Sequence, residues 1–538
     1  MADKKGVRFR HRLYEAMQFA WQRCRDCYEG SDAVKARGEE YLPALASHRK
    51  AVNQPTRTGK GPYDEYKLRA LFYGAFDRTV NGLAGGIFQK TPTVRVPKGC
   101  EEHLKDLTLA NETAEMFWLH SAQEVLTTGR FGILIEMPSE ESFDTRPYWC
   151  GFESEHIISW RTERIDGDER LTRVVVREYV EMPDPEDEFA TVLEEQYRVL
   201  ELIAFVGLPE QPTTMMYQQR IYRQDPKKKD EFILTATLVP TRRKKPLEFI
   251  PFVFIGPTSV TPKVAKPPLL DLADVILSHY RTMADLEWGR HLVALPTPWI
   301  AGMMPSPTTA AGGGDEQEMG PGVVLMLEKE GSAGYVEFTG KGLEALEKAD
   351  EQKRRLMATL GARLLEEQAS AQETATAVGM RHGGEHATLR TVAQALETAF
   401  LMAMRWHVWW YDSTKALIED LKDEVAVELN KDFFAVRMSS EQLKGWVFAL
   451  QSNAITYATF YQALVRGDVA RPGVDWETEK AELDSQEQER LASLPVELGG
   501  TGPPLLDADG NPVKNDGAKP GDKPKPGVKK DDEEEEEE

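Results

Sequence analysis

Residues 341–411 read KGLEALEKADEQKRRLMATLGARLLEEQASAQETATAVGMRHGGEHATLRTVAQALETAFLMAMRWHVWWY, and the reading of this stretch decides the fold. From 342 to 367, Leu343, Leu346, Leu356, Leu360 and Leu364 recur on one side of a helical pattern. From 385 to 411 the pattern is cleaner. Leu389, Val392, Ala393, Leu396, Ala399, Phe400 and Ala403 return at steps of three and four, as an amphipathic helix requires. At about 1.5 Å per residue such a helix spans about 40 Å, more than most helices of a globular domain. Between the patterns lies 369–387, with Thr374, Thr376, Gly379, Gly383 and Gly384. Each glycine costs about 1 kcal/mol against alanine inside a helix, so the segment is expected to be a loop. On pattern alone it is either a plain inter-helix connection of a bundle or something more specialised.

Upstream, Pro267-Pro268 opens another helix at 269–292, with Leu272, Val275, Ile276, His279, Tyr280 and Met283 as its apolar stripe. His279 on that stripe reads as a packed histidine rather than a ligand. Between this helix and 342 lie short extended runs at 298–301, 323–327 and 335–338 with a Gly-rich insert at 310–314, the texture of a small β-containing module. Further back, 173–179, 195–203, 216–222 and 231–239 are rich in Val, Ile, Tyr, Leu and Thr and suit antiparallel strands. The aromatic and basic residues of 217–223 and 242–245 read as a solvated strand face and a hairpin turn. Residues 63–88 carry one helical face, 113–127 another, and 131–136 a strand. Downstream, 425–429 reads as a strand, the helix from Ser440 is amphipathic, 455–465 continues helically, and 476–491 is polar. The fold class is α+β.

The chain has 538 residues, enough for two to four domains, with 88 acidic and 66 basic side chains and a formal net charge of −22. No basic field advertises tight nucleic-acid binding. Neutralising phosphates is what makes DNA binding strong, so this composition suits a protein that lets DNA slide rather than one that holds it. Part of the acidic excess is the terminal run 531–538, within a 495–538 tail whose Gly, Pro, Lys and Asp predict disorder. Four cysteines are too few for a disulfide scaffold and suit a reducing compartment. The start lacks the apolar core of a signal peptide, and no apolar run approaches the ~20 residues that cross a bilayer, so a soluble, intracellular product is expected.

Motifs for chemistry are broken or absent. Thr58-Gly-Lys60-Gly61 resembles part of a phosphate loop, but Gln54 replaces the leading glycine and Gly61 stands where Ser or Thr should bind magnesium. Asp507-Ala-Asp509-Gly-Asn511 begins like a calcium loop, yet Pro512 and Ala518 occupy its required glycine and glutamate positions. Cys24 and Cys27 have CxxC spacing without a second pair. No HExxH, GxSxG or GxGxxG occurs. No enzyme, cofactor or metal is expected.

In order, these pieces resemble the portal, or head-to-tail connector, proteins of tailed bacteriophages. The order itself carries the likeness: an α/β body, a helix, a small inserted module, a second helix, a glycine-bearing segment, a long helix and a further helical region. Further carriers are Leu71-Phe-Tyr-Gly-Ala-Phe-Asp-Arg-Thr-Val-Asn-Gly-Leu-Ala-Gly85, Phe88-Gln-Lys-Thr-Pro92, Leu360-Gly-Ala-Arg-Leu-Leu365, Glu373-Thr-Ala-Thr376 and Leu429-Asn-Lys-Asp-Phe433. The resemblance covers roughly 60–490. It implies a closed ring, usually of twelve copies, at one capsid vertex of the virion and in the host cytoplasm during assembly. Double-stranded DNA would pass through it without sequence specificity during packaging and ejection. Its partners would be the terminase large subunit, a head-tail adaptor and the major capsid or scaffolding protein, with no membrane.

By that likeness 63–268 is a wing behind a 1–62 helical leader, 269–292 and 342–368 are stem helices, and 293–341 is the clip. Residues 369–387 form a tunnel loop, 388–445 the long helix and wing return, and 446–494 a crown. Thr374, Thr376, Gly379, Arg381, His382, Gly383, Gly384 and His386 are its candidate DNA-facing residues. The alternatives are a non-portal helical scaffold or adaptor of a phage particle, and a nucleotide-using packaging enzyme.

Overall fold

The computed structural model describes residues 6–46, 61–138, 146–165, 167–184, 187–205, 214–294, 297–303, 327–336, 341–361, 375–431, 433, 440–452, 454–466, 469–470 and 476–492. These fall in two units, Met1–Phe433 and Phe434–Glu538. The phosphate-loop-like 58–60, the insert 310–314, Thr374, the calcium-like 507–518 and the acidic tail lie outside the described residues.

Helix α1 (Arg12–Glu29) starts behind His11, whose Nδ1 accepts the Leu13 amide at 3.1 Å. It buries Trp21, Cys24 and Cys27 completely, so part of the expected polar leader belongs to the core. Burial pushes the Cys24 thiol up to about 12 and raises that of Cys27 as well, so both are held in the neutral thiol form. Helix α2 (Ser31–Ala36) follows. The single helix expected over 63–88 is two, α3 (Pro62–Arg69) and α4 (Phe76–Ile87). Between them Ala70 is buried with an extended backbone and Phe72 packs edge-on to Tyr280 at 6.3 Å, while Leu68 and Leu71 stay exposed, so the segment makes its core contacts outside a helix.

After β1 (Thr93–Arg95), helix α5 (Ala114–Thr128) is capped by Thr113, whose hydroxyl accepts the Met116 amide. It ends at Gly129 with φ 74°, where a Cβ would meet Pro267 Cα at 3.1 Å. Strand β2 (Phe131–Glu136) is buried along its whole length because β3 (Tyr148–Glu153) and β11 (Phe252–Ile255) pair on either side. Between β3 and β11 runs an antiparallel meander of β4 (Ile157–Ile165), β5 (Asp168–Pro183), β6 (Thr191–Phe205), β7 (Thr214–Asp225) and β8 (Lys228–Leu238). All four strand patterns read from 173 to 239 lie in it. A small hairpin, β9 (Thr241–Arg242) and β10 (Lys245–Pro246), precedes β11.

Helix α6 (Leu270–Ala294) leads to the antiparallel pair β12 (Thr297–Met303) and β13 (Leu327–Val336), and α7 (Lys341–Leu360) returns. Helix α8 (Ala375–Tyr411) and β14 (Ala426–Glu428), which pairs with β1, complete the first unit. The second unit holds α9 (Ser440–Gln451), α10 (Tyr457–Arg466) and α11 (Trp476–Ala492), with Tyr457 stacked on Trp476 at 5.4 Å. The fold is mixed helix and sheet, α+β. Among the described residues no helix is long and apolar enough to cross a membrane.

Candidate ring and channel elements

Helices α6 and α7 pack antiparallel, and their contacts rise along one as they fall along the other. Arg290 donates to Glu347 at 3.0 Å near the β12–β13 end. Lys353 donates to the Ser278 carbonyl at 2.9 Å and to the Thr282 hydroxyl at 2.5 Å in the middle. Leu343 lies over Gly289, where a Cβ would sit only 2.7 Å from its Cδ2, so the glycine sets how closely the helices approach. His279 is buried as expected, its Nε2 2.6 Å from Asp350 Oδ1 but out of line for a hydrogen bond. Burial lowers its pKa, and Asp350 only partly opposes this.

The remaining sides of α6 are also occupied. Tyr66 of α3 donates to Asp285 at 2.6 Å, Arg23 of α1 pairs with Asp274, and the Cys27 thiol faces the Ala273 carbonyl at 3.9 Å. This explains why its apolar positions exceed one stripe: Leu272, Ala273, Ile276, Tyr280 and Ala284 are all buried. A helix pair anchored in the body thus carries the β12–β13 hairpin at its far end.

Helix α8 departs from expectation at its start. The loop expected over 369–387 is helical from Ala375 onward, through Gly379, Gly383 and Gly384. Thr376, Arg381, His382 and His386 therefore lie in the opening turns of a helix, and Thr374 falls outside the described residues. Helical spacing places Thr376, Gly379, Gly383 and His386 on one face, with Gly384 and Arg381 away from it. The glycine penalty, about 1 kcal/mol each, is a weak prior that tertiary structure overrides. Here the helix is secured downstream, where Val392, Ala393, Leu396, Ala399, Phe400 and Ala403 are buried and Phe400 stacks on Trp118 at 5.0 Å.

Several polar clusters had no local signal in the sequence. Trp149 Nε1 donates to His407 Nδ1 at 3.3 Å, and His407 Nε2 lies 2.9 Å from His103 Nδ1. An indole can only donate, so His407 carries its proton on Nε2 and hands it to His103. Burial, with the charges of His103 and Arg146 behind it, lowers the His407 pKa to about 3. In the sheet, Glu136 accepts from Arg198 at 2.7 Å and from Gln219 at 2.9 Å. The Cys150 thiol also donates to Glu136, at 3.6 Å, and burial raises its pKa well above the ordinary thiol value.

The residues with metal-compatible spacing among those described are His120, Glu124 and Glu153. Arg25 already binds both oxygens of Glu124, at 2.6 and 2.7 Å, and lies 3.4 Å from Glu153, so both carboxylates of the trio face a resident cation.

A family model described as a domain of unknown function, DUF4055, matches residues 268–411, from the start of α6 to the end of α8. No curated protein matches the chain. Among solved structures it is similar to a chain of the virion of a native gene transfer agent particle, at 12% identity and a TM-score of 0.36, over 79% of this chain and 99% of that one. It is likewise similar to a chain in the neck of the empty particle computed with C6 symmetry, at 13% identity and TM-score 0.36, over 79% and 98%. A chain in the neck of the native particle computed with C12 symmetry follows at 13% and 0.35, over 78% and 97%. Likeness at TM-scores of this size does not by itself assign a role.

Proposed function

We propose that this chain is the subunit of a phage portal ring, a structural conduit through which double-stranded DNA enters and leaves a capsid. The observation that carries the reading is the antiparallel α6–α7 pair, rooted in the α/β body and bearing the β12–β13 hairpin at its far end. In this reading α6 and α7 are the stem, β12–β13 belongs to the clip that docks the terminase large subunit and later the head-tail adaptor, and the meander belongs to the wing. The glycine-bearing start of α8 belongs to the channel wall in this reading, with Arg381, His382 and His386, and Thr374 and Thr376, as its candidate DNA contacts. Residues 446–494 form the crown. A net charge of −22 on every copy repels DNA from the wall and limits adhesion during passage. The reading needs no catalytic group, cofactor or metal.

Ring closure requires two different complementary faces on each copy. The test is native mass measurement and electron microscopy of the purified full chain across salt concentrations. A closed ring, twelve copies in the simplest case, with a central channel is expected. A monodisperse monomer or dimer under every condition would overturn the reading.

A further inference from the structure

The meander carries a projection that the other described residues leave uncovered. Burial along β5 stops at Val176, and β7 pairs with β6 only as far as Gln196. Beyond that point β5 and β6 run on alone from Tyr179↔Glu195 to Pro183↔Thr191, a two-strand ribbon of about 17 Å at about 3.3 Å per residue. Phe189 at its tip is 89% exposed, so none of the described residues seats it, and Leu193 behind it is 60% exposed. The tip is acidic as well as apolar. Asp187 and Glu188 are exposed next to Phe189, whose amide is held by the Asp187 carboxylate at 3.0 Å, and Glu181 is exposed further down the ribbon, opposite Leu193. A bare two-strand ribbon with an apolar tip is marginal in water and gains by being covered.

A cleft of opposite character lies elsewhere in the same unit. It is a cavity of about 840 Å³ walled by Met137, Ile221, Val239 and Trp410, with Arg243 and Lys244 at its edge. The charges of its floor are already paired, Arg198 with Glu136 and Glu178. The edge cations belong to the β9–β10 turn. Arg242 anchors that turn by donating to the Asp412 and Lys415 carbonyls at 2.8 and 2.6 Å and by lying 4.1 Å over the Trp409 ring. Arg243, Lys244 and Lys245 remain exposed. Arg243 and Lys244 both have left-handed backbones, φ 52° and 65°, in a turn that favours Asn-Gly. Two long cations are thus kept where the backbone favours small residues, in a chain whose net charge is −22.

We propose that this cleft receives the β5–β6 tip of a second copy of the chain, with Phe189 between its apolar walls and Glu181 and Glu188 against Arg243 and Lys244. The inference rests on the ring reading and deepens it. Tip and cleft are different surfaces, so the contact is heterologous and propagates around a ring. Charge complementarity selects the occupant, because the cleft offers apolar walls and cations while the tip offers an aromatic ring among carboxylates.

The test compares the full-length wild type with Phe189→Asp, with R243E/K244E, and with a chain carrying E181K/E188K together with R243E/K244E. Native mass measurement and sedimentation over a concentration series give the assembly midpoint. Phe189→Asp and R243E/K244E each raise the concentration for half assembly at least tenfold, and the charge-swapped chain recovers most of that loss. None of the described residues seats Phe189, so unchanged thermal melting separates lost docking from lost folding. In a second measurement, F189C and K244C chains form a disulfide dimer when mixed under oxidising conditions and not when either is alone. Rings at the wild-type midpoint in both Phe189→Asp and R243E/K244E overturn the docking and leave the ring standing. A wild type that stays monomeric throughout overturns both. Retention of a 30-base-pair duplex by wild type that is lost in R243E/K244E, with assembly unaltered, assigns the turn to phosphate and overturns the docking.

Discussion

Within helix α8, residues 389–411 bury Val392, Leu396, Ala399, Phe400, Ala403 and His407 against the body, whereas residues 375–388 hold the same backbone conformation while carrying Gly379, Gly383 and Gly384. One half is a helix that its side chains dictate. In the other, local propensity argues for a break and the helix continues nonetheless. Helix formation is cooperative: once a packed segment has met the cost of nucleation, each added turn gains a hydrogen bond per residue, and scattered glycines shorten the extension only if their penalties outweigh it. A glycine-rich segment at the end of a well-anchored helix is therefore a poor helix by itself and an adequate continuation of one. That condition suits an element able to give up its helix without disturbing the core.

The comparison breaks most sharply at Phe400. Removing its ring empties the stack on Trp118 in a fully buried site, so Phe400→Ala is expected to cost about 3–5 kcal/mol, read from the urea midpoint. A loss below about 1 kcal/mol would mean that the downstream half is not what secures α8.

A smaller effect comes from His407. Its folded pKa, about 3, lies below the ordinary value of 6.5, so the unfolded chain binds the proton more readily throughout that window. Stability is therefore greatest above pH 6.5 and falls as the pH drops toward 3. The loss from this group at pH 5 is about 2 kcal/mol. His11, His156 and His279, also lowered first by burial, act in the same direction. His407→Gln should flatten the pH dependence of the urea midpoint between pH 4.5 and 6.5 relative to wild type. An unchanged slope would show that the histidine is not buried in its neutral form.

What the sequence made legible was local. The run from Phe131 to Ile135 holds no polar side chain, with Gly129 before it and Pro138 after it, and it forms most of the buried strand β2. The helices at 269–292 and 389–411 showed because their spacing records the very contacts that bury them. Three things were not legible. Between α3 and α4 the extended segment packs Ala70 and Phe72 against the core, Phe72 on Tyr280 from a distant helix, which a helical wheel cannot display. The opening of α8 was read from glycine penalties without the anchor downstream. The Trp149–His407–His103 array joins residues 304 positions apart, and a lone histidine carries no sign of its distant partner. The 242–245 cations read correctly as a hairpin turn, but their place beside a cleft arises only once the sheet and the end of α8 meet. Of the candidate channel residues, Thr376, Gly379, Gly383 and His386 share a helix face by spacing, while Arg381 and Gly384 do not.

The smallest effect tests the glycine-bearing half directly. Gly383→Ala with Gly384→Ala removes two penalties of about 1 kcal/mol each from turns that are already helical, so it should slow amide exchange across 375–388 several-fold. The global urea midpoint should stay within about 0.5 kcal/mol of wild type, because the end of a helix opens without the core. The second readout is DNA retention by assembled particles. If these turns must leave the helix as DNA moves past them, the stiffened variant assembles normally and retains or passes DNA poorly. Faster exchange in the double variant would mean that the methyl groups clash, and that the glycines are there for close approach of a neighbouring copy rather than for pliancy. The two causes predict opposite signs at the same amides, so hydrogen exchange read residue by residue separates them.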